Sequence, residues 1–121
     1  MNQQDPIVII GMARTLMGAF RGVLKDVSCA QLGAAAIRSA LERSELEPEA
    51  VNEVIMGCVL SAGQGQAPAR QAVLGADLPL SACSTTVNKM CGSGMKSVML
   101  AHDLLLSGED RIMVAGGMES M

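Results

Sequence analysis

Aromatic side chains are all but missing: Phe20 stands alone, with no tryptophan and no tyrosine in 121 residues. That removes the stacking platforms on which single-stranded nucleic acids are held. Charge points the same way. Nine Lys and Arg against twelve Asp and Glu leave a formal net charge of −3, and the basic residues are scattered singly, without the stripe that a polyanion would need. Nucleic acid is not an expected partner. Histidine is scarce too, since His102 is the only one, and a multi-histidine metal site within this chain is excluded. The four cysteines, Cys29, Cys58, Cys83 and Cys91, form no CxxC pair and fall in different predicted elements. This speaks against a zinc site and against a disulfide framework, so all four are expected to be reduced. No apolar run approaches the ~18 residues of a membrane span. Met1-Asn2-Gln3-Gln4-Asp5 has neither the basic flank of a signal peptide nor the Arg-rich character of a transit peptide. The expectation is a soluble cytoplasmic protein with no membrane partner.

What is abundant is apolar bulk. Half of the residues are hydrophobic and the mean hydropathy is positive, so a core takes a large share of a chain this short. Ten methionines do the filling that aromatics would otherwise do. Ile7-Val8-Ile9-Ile10, ending at Gly11, reads as a strand buried on both faces. Residues 13–26 have no sustained period and read as a surface loop, with Leu16 and Phe20 pinning it down. Ser28 with Gln31 fits a capping box, and Cys29, Leu32, Ala36, Ile37, Ala40 and Leu41 trace one face of a helix ending near Ser44. Pro48 starts a short helix, and Val54-Ile55-Met56, closed by Gly57, is a second strand. Together these make a β-α-β unit.

Gly63-Gln64-Gly65-Gln66-Ala67-Pro68 imitates the start of a dinucleotide-binding GxGxxG, but Pro68 occupies the place of the third glycine, and the Rossmann reading fails. Pro68 instead starts a helix that Gly75 stops, with Arg70 a solvated or locally paired side chain. Ser84 to Val87 is a third strand. Residues 92–106 form a helix apolar nearly all round, predicted to be buried on most sides. Gly108 stops it, and Arg111 to Ala115 is a fourth strand leading into Gly116-Gly117-Met118-Glu119-Ser120-Met121. Strands alternating with helices predict a largely parallel α/β sheet with helices on both faces.

Chemistry concentrates at Cys91, in the turn between the third strand and the long helix. A cysteine at a helix start sees unpaired N–H groups and the positive end of the helix dipole, which favour the nucleophilic thiolate. Gly92 and Gly94 leave no bulk over the sulfur. A nucleophile usually needs a base, and His102, eleven residues along the same helix, is about 16 Å away at ~1.5 Å per residue. It reads as a hydrogen-bonded core histidine. Ser93 departs from the GxSxG elbow at both outer positions, so its hydroxyl is expected to satisfy local backbone groups. Glu119, the one acidic residue in a glycine-rich setting, reads equally as exposed, as capping, or as approaching a site.

Three motifs carry a resemblance. Val87-Asn88-Lys89-Met90-Cys91-Gly92-Ser93-Gly94-Met95 resembles the segment around the acylated cysteine of the thiolases, specifically the acetyl-CoA acetyltransferase group. Residues 63–71 resemble that family's GxGQxPARQ loop, with Ala67 where many members carry asparagine, and residues 116–121 resemble its GGMESM strand exit. Residues 7–14, with Thr15 and Gly18, follow its first strand and loop, so the likeness spans the chain.

The resemblance implies a layered α-β-α-β-α fold of the α/β class, of which residues 1–121 are an incomplete N-terminal domain supplying most of the first β-α-β half. The second half and the loop region that grips CoA are absent. It implies a ping-pong acyltransferase in which Cys91 is the catalytic nucleophile, its own backbone N–H serves as oxyanion donor, and two acetyl-CoA condense to acetoacetyl-CoA, or the reverse thiolysis runs. Acyl-CoA is then a substrate, and no cofactor or metal is expected; no other substrate-binding residue is assigned. The family's activating histidine and its second, acid/base cysteine lie beyond Met121, so the chain alone is expected to be inactive, needing the missing half in cis or in trans. A homodimer or tetramer is implied. Two other readings compete: a non-catalytic thiolase-fold lipid-binding or assembly subunit, and a ketoacyl-synthase-type condensing enzyme.

Overall fold

A computed structural model describes residues 6–108 and 111–121; residues 1–5, on which the leader reading rests, lie outside them. Among the described residues, three helices and three strands follow in order: α1 (Cys29–Ser44), a single 3-10 turn (Pro48–Ala50), β1 (Glu53–Gly57), α2 (Pro68–Gly75), β2 (Cys83–Val87), α3 (Ser93–Leu106) and β3 (Met113–Gly117). The capping box forms as predicted. Ser28 Oγ accepts from the Gln31 N–H and Gln31 Oε1 accepts from the Ser28 N–H, which satisfies two of the donors that a helix start leaves without partners. The helix then buries Cys29, Gly33, Ala34, Ile37 and Leu41, the predicted stripe rotated slightly toward its small residues.

The sheet is parallel and ordered β2-β1-β3, with Gly57 level with Val87 on one side and Gly117 on the other. Side chains alternate along β1. Val54 and Met56 join Ile37 and Leu41 of α1 and Val73 of α2 in the hydrophobic core, whereas Ile55, equally buried, points to the face on which α3 packs. The crossover β1-α2-β2 therefore runs on one face and β2-α3-β3, moving the opposite way across the sheet, runs on the other, so both share one hand.

Two stretches of the chain depart from expectation. Residues 7–10 form no strand, and Val8, Ile9 and Ile10 are exposed, Ile9 by 75%. A strand exists only where a neighbour exchanges backbone hydrogen bonds with it, and this run instead passes the C-terminal part of α1. A side chain at Gly11 would stand 2.6 Å from Ala40 O, and Arg43 Nη1 donates to Met12 O at 2.9 Å. The β-α-β units are consequently the two later ones. Nor do Leu16 and Phe20 pin the following loop: both are exposed, with the Arg21 guanidinium 5.5 Å above the Phe20 ring.

The second stretch is α3. Its buried residues are the small ones, Ser93, Ser97 and Ala101, while Met95, Val98 and Met99 are exposed, Met95 by 73%. The cause is backbone proximity. A Cβ at Gly57 would meet Ser93 Cβ at 2.6 Å and one at Gly117 would meet Gly94 Cα at 3.1 Å, so α3 approaches the sheet too closely for any but small side chains on that face.

Candidate active site

The carboxyl ends of parallel strands are where α/β folds place their ligands, and here the loops leaving β1, β2 and β3 gather at that edge. The β2 exit turns within four residues into Cys91, which is exposed. Helix α3 begins one residue later than expected: Gly92 is its N-cap and Ser93 its first residue, so Cys91 stands just ahead of the helix. The N–H groups of Gly92 and Ser93 are used by the turn itself, donating to Lys89 O at 3.0 Å and Met90 O at 3.1 Å. Among the described residues, this leaves Gly94 and Met95 as the first-turn donors not spent on the turn.

The turn is tightly held. Met90 has φ +48°, a left-handed backbone seldom adopted by a residue with a side chain. Its N–H donates to Asn88 Oδ1 at 3.0 Å. Ser93 Oγ donates to Met90 O at 2.6 Å and accepts from the Lys89 N–H at 2.9 Å, the local backbone role expected for it. Beside Ser93, a Cβ at Gly94 would stand 3.6 Å from Gly117 of β3, an ordinary contact, and one at Gly92 would stand 3.4 Å from Lys89 O.

The other expected residues disperse. His102 is exposed on α3 beside Asp103, Nδ1 to Oδ1 3.3 Å, and is no core histidine; it follows the buried Ala101 but lies on the side of α3 that faces solvent. Arg70 donates from Nη1 to Ala82 O at 2.7 Å and from Nη2 to Leu80 O at 2.9 Å, tying α2 to the entry of β2. Gln71 Nε2 donates to Gln64 O and Gln66 O. The Ala69 N–H, left without a cap by Ala67, is met by Thr86 Oγ1 at 2.9 Å. The Pro68-Ala69-Arg70-Gln71 run is therefore framework.

Glu119 is the residue that the sequence left open. Both carboxylate oxygens accept from the Val59 N–H at 3.0 Å, and Oε1 also accepts from the Leu60 N–H at 3.0 Å and the Cys58 thiol at 3.5 Å. It anchors the loop after β1 to the loop after β3. Only the glycine-rich setting hinted at it; its partners lie sixty positions away. Cys58 and Cys29, distant in sequence, are neighbours here, and Cys29 Sγ donates to Gln64 Oε1 at 3.2 Å. Burial, then the adjacent Cys29 and the Glu119 carboxylate, push the Cys58 thiol up to about 12, and burial raises Cys29. All four cysteines are free. Among the described residues, no three of His, Cys, Asp or Glu come together as a metal site would require, and no helix is long and apolar enough to cross a membrane.

Residues 7–121 match the family model described as "Thiolase, N-terminal domain". The chain belongs to the thiolase family. It is 55% identical over 117 residues to acetyl-CoA acetyltransferase B, mitochondrial, of Xenopus laevis, covering 97% of this chain and 28% of that protein. To the acetyl-CoA acetyltransferase of Cupriavidus necator it is 51% identical over 115 residues, covering 95% and 29%. Among solved structures it is similar to the Acat5 thiolase from Ascaris suum in complex with coenzyme A, with TM-score 0.87 and 38% identity over 90% of this chain and 28% of that one. The parallel α/β fold is that of the N-terminal thiolase half, and the chain spans less than a third of the length of these relatives.

Proposed function

We propose that this chain carries the nucleophilic half of an acetyl-CoA acetyltransferase site, with Cys91 as the residue that becomes acylated. The observation that carries the reading is the exposed Cys91 on a braced turn at the carboxyl edge of a thiolase-family sheet. Relatives named acetyl-CoA acetyltransferase support a thiolase over a ketoacyl-synthase-type enzyme. The Cys91 thiolate attacks the thioester carbonyl of one acetyl-CoA, and the oxyanion of the tetrahedral intermediate faces the Cys91 N–H. The carbon–sulfur bond to CoA breaks, and CoA leaves and takes up a proton. A base outside this chain then removes a methyl proton from a second acetyl-CoA. The resulting carbanion attacks the acetyl carbonyl, a carbon–carbon bond forms, and Cys91 departs as thiolate. Thiolysis is the same path reversed.

The test is mass spectrometry of the complete protein after acetyl-CoA without a second substrate. One acetyl group on the peptide containing Cys91, and none in Cys91→Ser, is expected; undiminished turnover by Cys91→Ser overturns the reading. A homodimer or tetramer is proposed with it, checked by light scattering. The cytoplasmic location is proposed on the sequence alone, and the Xenopus relative is named mitochondrial; imaging of a tagged protein decides between the two.

A further inference from the structure

We infer that Ser93 is a positioning residue that aims the Cys91 N–H at the forming oxyanion, with Asn88 as its helper; this rests on the reading of Cys91 as the acylated nucleophile. Met90 O and the Cys91 N–H are the two ends of a single peptide group. Because that group is planar and trans, its C=O and N–H point in opposite directions, and fixing one end fixes the other. Ser93 grips the carbonyl end twice, through its hydroxyl at 2.6 Å and its own N–H at 3.1 Å.

The same hydroxyl accepts from the Lys89 N–H at 2.9 Å, so it spans both sides of Met90. Asn88 Oδ1 holds the Met90 N–H from the remaining direction. These contacts stabilise Met90 at φ +48°, a conformation that an unbraced methionine leaves readily, and leaving it rotates the 90–91 peptide. Ser93 cannot swing aside, because it is only 5% exposed and its Cβ and backbone lie where Gly57 has no side chain. Alanine at position 93 removes the hydroxyl's donor and acceptor together while preserving the close approach to β1.

Two reactions of the same sulfur separate aiming from mere support. Acylation by acetyl-CoA passes through an oxyanion; alkylation by iodoacetamide does not. In the complete protein, Ser93→Ala is expected to slow Cys91 acylation by about 10- to 100-fold, while alkylation stays within about twofold of the parent, because only the former needs the donor. Equal rates in both reactions, or an equal fall in both, overturns the inference. Absence of acylation in the parent protein would instead overturn the function proposed above. If circular dichroism shows Ser93→Ala to be unfolded, the same pair of rates on Asn88→Ala decides: a smaller but still selective loss of acylation supports the inference, and a parallel change in both rates overturns it.

Discussion

Glu119 closes the carboxyl edge of the sheet by accepting from the backbone of Val59 and Leu60. Glu119→Ala leaves those donors without a protein acceptor, and the expected loss is about 1–3 kcal/mol, toward the lower end because Leu60 is exposed enough for water to replace part of it. Urea denaturation measures this, and a loss in Glu119→Gln as large as in Glu119→Ala would argue against the role of the acceptor oxygens. Cys58 supplies a pH signature. Its thiol rises from 9.0 to about 12 on folding, so the folded state favours the protonated form. That contribution is complete below pH 9 and disappears as pH climbs toward 12. Between those limits the urea midpoint is expected to fall more steeply for the parent than for Cys58→Ala. The local backbone role of Ser93 was legible from its immediate neighbours because its partners, Lys89 and Met90, lie within four positions. Glu119 and the Cys29–Cys58 contact were not, because the groups that define them arrive from distant strands and no local spacing encodes that meeting.

Helix ends and turns were read best, since capping boxes, proline starts and glycine stops act within a few residues. The boundaries of α1 and α2 follow from Ser28, Gln31, Pro68 and Gly75. The apolar run of residues 7–10 and the large side chains of α3 misled because periodicity reports what a segment would bury, not whether a partner is present. In α3 the deciding fact is the contact of Gly57 and Gly117 with Ser93 and Gly94. Gly57→Ala puts a methyl group into the helix backbone, with an expected cost of about 1–3 kcal/mol and a drop in Cys91 acylation as α3 moves off. Unchanged stability together with unchanged acylation would contradict the seam. At the start of α2, Ala67 has φ +47° and offers no cap. Asparagine tolerates that backbone better than alanine does, so Ala67→Asn is expected to stabilise the fold by up to about 1 kcal/mol. A lowered melting temperature would refute this.

At the scale of the molecule, apolar surface is the dominant feature. Val8, Ile9, Ile10, Met12, Leu16, Met17, Phe20 and Val23 near the N-terminus, and Met95, Val98 and Met99 on α3, are all exposed. Monomeric proteins rarely leave so many large apolar side chains to water. A polypeptide of these 121 residues made alone is therefore expected to bind a hydrophobic dye, to self-associate on gel filtration and to show no turnover of acetyl-CoA. A monodisperse, dye-silent, active monomer would show otherwise. The parallel α/β class followed from the alternation of elements. Which apolar faces stay uncovered could not be read from it, because that depends on which surfaces find a neighbour. The strand order also dictates a schedule. The central strand β1 is synthesised before either edge, so β2 and then β3 each find a partner already emerged from the ribosome. Gly117, however, arrives last, well after Cys91. During that interval the sulfur sits just ahead of a helix whose seat is half built, so the geometry around it is set only once β3 has docked.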